Sequence, residues 1–173
     1  MLFCPRARSL LFNSPYGTKW NFQDNDLRLD ISFVIRIFKL LKILVLEQIP
    51  LHKGLPSEIG QFVQLTFLAV RGDLTEILSS IAKLSNLETF ILDPSGDIAS
   101  LPDSLWDFLK LQFLYMRSSD TWVGASLSTE NLDSSSNLNE LDGLSGAIIP
   151  NCSSMERLMT KFPNIRKLKC KLF

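Results

Sequence analysis

Four stretches of the chain repeat one spelling at nearly constant spacing: Leu41-Lys-Ile-Leu44-Val-Leu46, Leu65-Thr-Phe-Leu68-Ala-Val70, Leu87-Glu-Thr-Phe90-Ile-Leu92 and Leu111-Gln-Phe-Leu114-Tyr-Met116. Their first residues lie 24, 22 and 24 positions apart. Ten residues upstream of three of them stands a second phrase: Leu55-Pro-Ser-Glu-Ile59, Ile77-Leu-Ser-Ser-Ile81 and Leu101-Pro-Asp-Ser-Leu105. Phe62, Leu84 and Phe108 fill the apolar slot between the two phrases. Within each unit the apolar spacing changes from steps of three or four, which suit a short helix or 3₁₀ turn, to alternation at two, which suits a strand.

A unit of this size cannot bury its apolar stripe alone, so consecutive units must stack and share one core. Period and spelling together are the signature of a leucine-rich repeat. The expected fold is an α/β repeat solenoid: a curved parallel β-sheet on the concave face, with short helices or 3₁₀ turns on the convex face. Weaker copies extend it. Ile165-Arg-Lys-Leu168-Lys-Cys170 follows Met155, Met159 and Phe162 in the same slots, and Leu141-Asp-Gly-Leu144 stands one period upstream. At the other end, Ala7-Arg-Ser-Leu10-Leu-Phe12 reads as an earlier strand, with Ile31 to Ile37 as its convex helix after an irregular connection from Asn13 to Asp30. The sequence thus offers seven strands in one domain, 1–173. Its expected parts are an irregular N-terminal repeat (1–37), regular repeats (38–117), a Ser-rich insertion loop (118–137) and irregular C-terminal repeats (138–173).

Composition narrows the function. With 46% of residues apolar and a net charge of zero, the chain has ample material for a core and no global reason to seek nucleic acid. No apolar run approaches the roughly 20 residues that span a bilayer, since Lys39 and Lys42 interrupt the densest, Phe38 to Leu46. The N-terminus lacks a basic region followed by a hydrophobic stretch, so no secretory signal is expected. Cys4, Cys152 and Cys170 are odd in number and widely spaced, which suits reduced thiols and cytoplasmic residence, free or peripheral at membranes. Cys170 reads as a small core residue.

Candidate chemistry is sparse. The single histidine, His52, lies in a loop without a serine or acid placed to make a triad. Glu58, Glu76, Asp103 and Asp107 fall in solvated slots between core leucines. The glycines are scattered singly, and no phosphate-binding loop is spelled. One histidine and no chelating cysteine pair argue against a metal. The expectation is therefore no enzyme, no cofactor and no metal.

Function must then reside on a surface. Residues between the leucines of each strand point to the concave side, where equivalent positions of neighbouring strands lie about 4.8 Å apart. The first row reads Ile43, Phe67, Thr89, Phe113, Gly143, Lys167. The second reads Val45, Ala69, Ile91, Tyr115, Ser145, Lys169, and the third Glu47, Arg71, Asp93, Arg117, Ala147, Lys171. Ile43, Val45, Phe67, Ile91, Phe113 and Tyr115 form an apolar strip expected to bind protein, flanked by Arg71 and Arg117 in a row of alternating sign that also fixes register. Cross-strand stabilisation of the sheet is the competing role of the strip.

Phe38-Lys-Leu-Leu-Lys-Ile-Leu-Val-Leu46, Leu55-Pro-Ser-Glu-Ile-Gly60 and Leu101-Pro-Asp-Ser-Leu-Trp106 resemble the repeat region of plant intracellular immune receptors of the coiled-coil, nucleotide-binding, leucine-rich-repeat class. Leu127-Ser-Thr-Glu-Asn-Leu132 and the closing phrase from Ser154 to Cys170 resemble, more narrowly, the late-blight-resistance branch of nightshades. The resemblance implies a recognition and autoinhibition module acting in defence and the hypersensitive response. It also implies protein partners: the receptor's own nucleotide-binding domain, a pathogen effector or a guarded host protein. The ADP or ATP binding of full-length members falls on no residue of this chain, whose motifs match only the repeat part, so the chain looks like a fragment or truncated homologue, marginally soluble by itself. A leucine-rich inhibitor, a receptor ectodomain or a generic repeat scaffold is the alternative. The single sequon, Asn151-Cys-Ser153, is its one supporting feature.

Overall fold

The computed structural model describes residues 6–12, 31–47, 55, 57–72, 77, 80–94, 105, 107–117, 125–126 and 138–172. The repeats contribute the strands β1 (Ser9–Leu11), β2 (Ile43–Val45), β3 (Phe67–Gly72), β4 (Thr89–Pro94) and β5 (Phe113–Met116). An additional two-residue strand, β6, spans Ala125–Ser126, and β7 (Gly143–Ile149) and β8 (Lys167–Leu172) complete the set. All pair in parallel in one sheet, ordered β1-β2-β3-β4-β5-β7, with β8 beyond β7. The fold is the leucine-rich-repeat solenoid that the periodicity predicts.

Two local devices hold the coils together. An i to i+3 turn precedes β2 to β5, β7 and β8: Leu65 N donates to the Phe62 carbonyl at 2.8 Å, and Leu41, Leu87, Leu111, Leu141 and Ile165 repeat the bond. The carbonyl just after each leading apolar residue then accepts two amides from the next coil. Lys42 O takes Thr66 N at 2.9 Å and Phe67 N at 3.0 Å, and Arg8, Thr66, Glu88, Gln112 and Asp142 do the same. The polar identity of these positions follows: the backbone forms the ladder while the side chain stays at the edge of the sheet. Asn86 Nδ2 adds a bond to the Val63 carbonyl at 2.7 Å, and Asn164 Nδ2 one to Asn139 O at 2.8 Å.

The leucine slots are filled as expected. Leu41, Leu44, Leu65, Leu68, Phe90, Leu111 and Leu141 are fully buried, and Ile59, Ile77, Ile81 and Leu105 join them from the convex side. These apolar groups form one continuous core running from coil to coil, the sharing that short units require. Cys170 is half-buried and packs against the edge of this core.

The convex side differs from coil to coil. Ile31–Ile37 is an α-helix, α1, and Ser57–Gln61 a 3₁₀ helix. Cys152–Lys161 is a full α-helix, α2, capped by Asn151, whose side chain accepts from Ser154 N at 2.8 Å and from Ser154 Oγ at 2.9 Å. The period of 3.6 in α2 turns Leu158 into the core and leaves Met159 exposed. This corrects the slot assigned to Met159, which supposes the tighter step of a 3₁₀ turn.

Candidate functional site: the hollow face

The register places the predicted rows side by side. Ile43, Phe67, Thr89, Phe113, Gly143 and Lys167 are consecutive partners, as are Val45, Ala69, Ile91, Tyr115, Ser145 and Lys169. Ser9 and Leu11 of β1 head the two rows, opposite Ile43 and Val45. Leu11 is 56% exposed and lengthens the apolar strip by one strand. The sequence carries the signal for it, because a strand with Leu10 and Phe12 turned inward must turn Leu11 outward.

Within the strip, Ile43, Val45, Phe67, Phe113 and Tyr115 are half-buried. Ile91 departs from expectation, being 7% exposed, and its neighbour Ala69 is 2% exposed. The middle of the second row is therefore a floor rather than an accessible surface. The third row lies alongside it. Arg71 pairs with its neighbour Asp93 at 3.7 Å, as the alternating signs predict. Arg117 instead reaches Glu47, three strands away, at 3.0 Å. That pair passes over β3 and β4, the strands that carry Ala69 and Ile91.

The third row also ends earlier than predicted. Between β7 and β8 the register slips: Ser145 faces Lys169, but Ala147 faces Cys170 and Ile148 faces Lys171. The unpaired residue is Gly146, with φ of +87°, a conformation that glycine adopts at little cost and L side chains avoid. The bulge turns Ala147 into the core, where it is fully buried, so its assignment to the concave row is corrected. Beyond the bulge, β7 pairs with β6 through Ala147 and Ile148. Part of the Ser-rich insertion thus rejoins the sheet.

At the β5 to β8 end an aromatic corner forms. Phe113 and Tyr115, two apart on one strand, share a face and stack with ring centroids 5.9 Å apart and planes 20° from parallel. Both lean over β7: a Cβ added to Gly143 would lie 2.8 Å from Phe113 Cδ1 and 3.2 Å from the Tyr115 hydroxyl. Lys167 spans the same gap from the other side, its Nζ 5.9 Å from the Phe113 ring centroid, a cation–π distance. Lys167, Lys169 and Lys171 are all exposed, and Arg166 pairs with Asp142 at the entry to β8.

Among the described residues the remaining candidates add no second site. His52, Glu76, Asp103 and Cys4 lie outside the described residues, whereas Glu58 and Asp107 are exposed. Among the described residues no cluster of His, Cys, Asp or Glu could hold a metal ion, and no helix is long and apolar enough to cross a membrane. The side-chain oxygen of the sequon residue Asn151 accepts the capping bonds of α2, and the residue is exposed.

No family model matches the chain. Over 98% of its length it is 31% identical to late blight resistance protein R1-A of Solanum demissum. It is 33% identical over 83% of its length to the putative homolog R1B-13, and 34% over 82% to the putative homolog R1B-16, both of the same plant. The chain spans only 13% of R1-A, 12% of R1B-13 and 11% of R1B-16. Among solved structures it is similar to an internalin of Listeria monocytogenes, with a TM-score of 0.45 and 12% identity over 80% of this chain and 50% of that one. A leucine-rich-repeat protein of Leptospira interrogans gives a TM-score of 0.36 and 18% identity over 79% of this chain and 44% of that one.

Proposed function

Because the chain is homologous, across 98% of its length, to a segment of the late blight resistance proteins, we propose that it is a non-enzymatic recognition module of a plant intracellular immune receptor. Its working surface is the hollow face, and its ligands are proteins: a nucleotide-binding domain of the same receptor type, held inactive through this contact, or a pathogen effector or guarded host protein whose arrival releases it. Defence signalling and the hypersensitive response follow from that release. ADP or ATP belongs to the partner domain. The site of action is the cytoplasm, including its membrane surfaces.

The observation that carries the reading is the half-buried apolar strip of Phe67, Phe113 and Tyr115 beside Leu11, Ile43 and Val45 on one parallel sheet. A sheet needs one apolar face for its core, and here the core already takes the opposite face of β1 to β5, β7 and β8. Apolar groups on the second face are not required for that packing, and a contiguous patch of them usually marks an interface. Arg71 and Arg117 frame the strip with side chains that interfaces favour.

The test is capture of the nucleotide-binding segment of a late blight resistance protein by the chain, native and as Phe67→Glu/Tyr115→Glu. The expected result is capture by the native chain and loss in the variant, with the melting temperature little changed. Equal capture by both would remove the hollow face from the account.

A further inference from the structure

The hollow face is not electrostatically even. The chain is neutral overall, so any local excess of charge reflects placement. On the concave rows the two carboxylates, Glu47 and Asp93, are each engaged by an arginine, at 3.0 Å and 3.7 Å. Among the described residues Lys167 and Lys169 have no such partner. They stand exposed on β8, one row apart, directly beside the stacked rings of Phe113 and Tyr115. Between the rings and the lysines runs β7, which presents only Gly143 and Ser145. The rings and Lys167 close over the buried Gly143, so the aromatic groups and the ammonium groups adjoin as one surface patch.

We propose that this patch is the docking site of an acidic polypeptide segment with an apolar side chain, so that the inference names the partner chemistry of the surface assigned above and rests on that assignment. The aspartates or glutamates of the segment meet Lys167 and Lys169, and its apolar group lies on Phe113 and Tyr115. Charge complementarity selects the occupant: two unpaired cations beside an aromatic surface speed encounter with an acidic partner and penalise a basic one. The apolar anchor selects a polypeptide over a bare polyanion, since the aromatic surface gains most from covering apolar area. Lys167 contributes twice, because its contact with Phe113 holds the ammonium beside the ring that takes the apolar group.

The probe is a fluorescein-labelled hexapeptide of aspartate and glutamate around one phenylalanine, compared by polarisation with its asparagine and glutamine counterpart. The native chain is expected to bind the acidic peptide and to lose about tenfold in affinity between about 50 mM and about 500 mM salt, as screening shortens the reach of the lysines. Lys167→Glu/Lys169→Glu is expected to abolish binding, and Lys169→Glu alone to weaken it. Both positions are exposed, and an unchanged melting curve shows that the variants fold. Equal binding of the neutral peptide, or tighter binding of a single-stranded oligonucleotide or of vesicles of anionic lipid, would overturn the proposal. Capture of the nucleotide-binding segment separates this inference from its premise. If the lysine variant captures it like the native chain while Phe67→Glu/Tyr115→Glu does not, the acidic class is wrong and the hollow face stands. If both variants capture it, both fail.

Discussion

Glu47 and Arg117 close to 3.0 Å although 70 residues and three strand spacings separate them. On a flat sheet three spacings amount to roughly 14 Å. Two long side chains bridge that distance by reaching toward each other across the two intervening strands. Arg117 is 60% exposed and Glu47 20%, so the contribution to stability is small. A double-mutant cycle with Glu47→Gln and Arg117→Gln, followed by urea unfolding, should give a coupling of at most about 1 kcal/mol that fades with added salt. A coupling of several kcal/mol, unaffected by salt, would mean a far drier pair than this one.

The shared core predicts a sharp contrast between inward and outward apolar residues. Leu68 is completely buried in β3, while Val63, five residues earlier, is 58% exposed. Leu68→Ala should cost about 2–5 kcal/mol through lost burial and the cavity left behind. Val63→Ala should remain within about 0.5 kcal/mol. Denaturant titration of the two variants checks both, and similar costs would mean that the coils do not stack as described.

Two glycines of β7 should respond very differently to the same change. At Gly146 a Cβ would meet the Met116 carbonyl oxygen at 2.3 Å, and φ is +87°. Gly146→Ala should cost more than the roughly 1–2 kcal/mol of a left-handed backbone alone, because backbone must also move. At Gly143 the obstacle is the Phe113 ring, which can swing aside. Gly143→Ala should therefore change the melting temperature little while shifting the near-ultraviolet circular dichroism of Phe113 and Tyr115. The reverse ranking would place the bulge elsewhere.

Asn151→Ala removes the acceptor of the Ser154 amide and should lower stability by about 1 kcal/mol, with Asn151→Asp retaining most of it. Thermal unfolding followed by circular dichroism would show the difference. An Asn151→Ala chain as stable as the native one would mean that α2 is not held by this cap.

How much of this is legible in the sequence follows from which physical rule each feature obeys. The burial of Leu44, Leu68, Phe90 and Leu114, and the side-by-side rows from Ile43 to Lys167, follow from strand alternation and a constant repeat length. The sequence carries both. The bulge at Gly146 is not legible, because the chain has eight glycines and only the backbone shows which of them makes an unpaired, positive-φ step in the ladder. Arg117 pairs with Glu47 while Asp93 pairs with Arg71, a choice that alternating signs leave open because each arginine of the row has more than one carboxylate in reach. The burial of Ile91 escapes the sequence as well: alternation gives the face of a residue but not how much water reaches it. Met159 yields its slot to Leu158 because a ten-residue segment accommodates either a 3₁₀ turn or a full α-helix, and the two turn different residues inward.

The central claim is that a protein partner occupies the hollow side, and site-specific photo-crosslinking tests it most directly. A benzophenone side chain replaces Tyr115 on the concave face, or in a second preparation Met159 on α2, which is 46% exposed. Each is irradiated with the nucleotide-binding segment of a late blight resistance protein. The account predicts a crosslinked product from position 115 and none from position 159; a product from position 159 alone would contradict it.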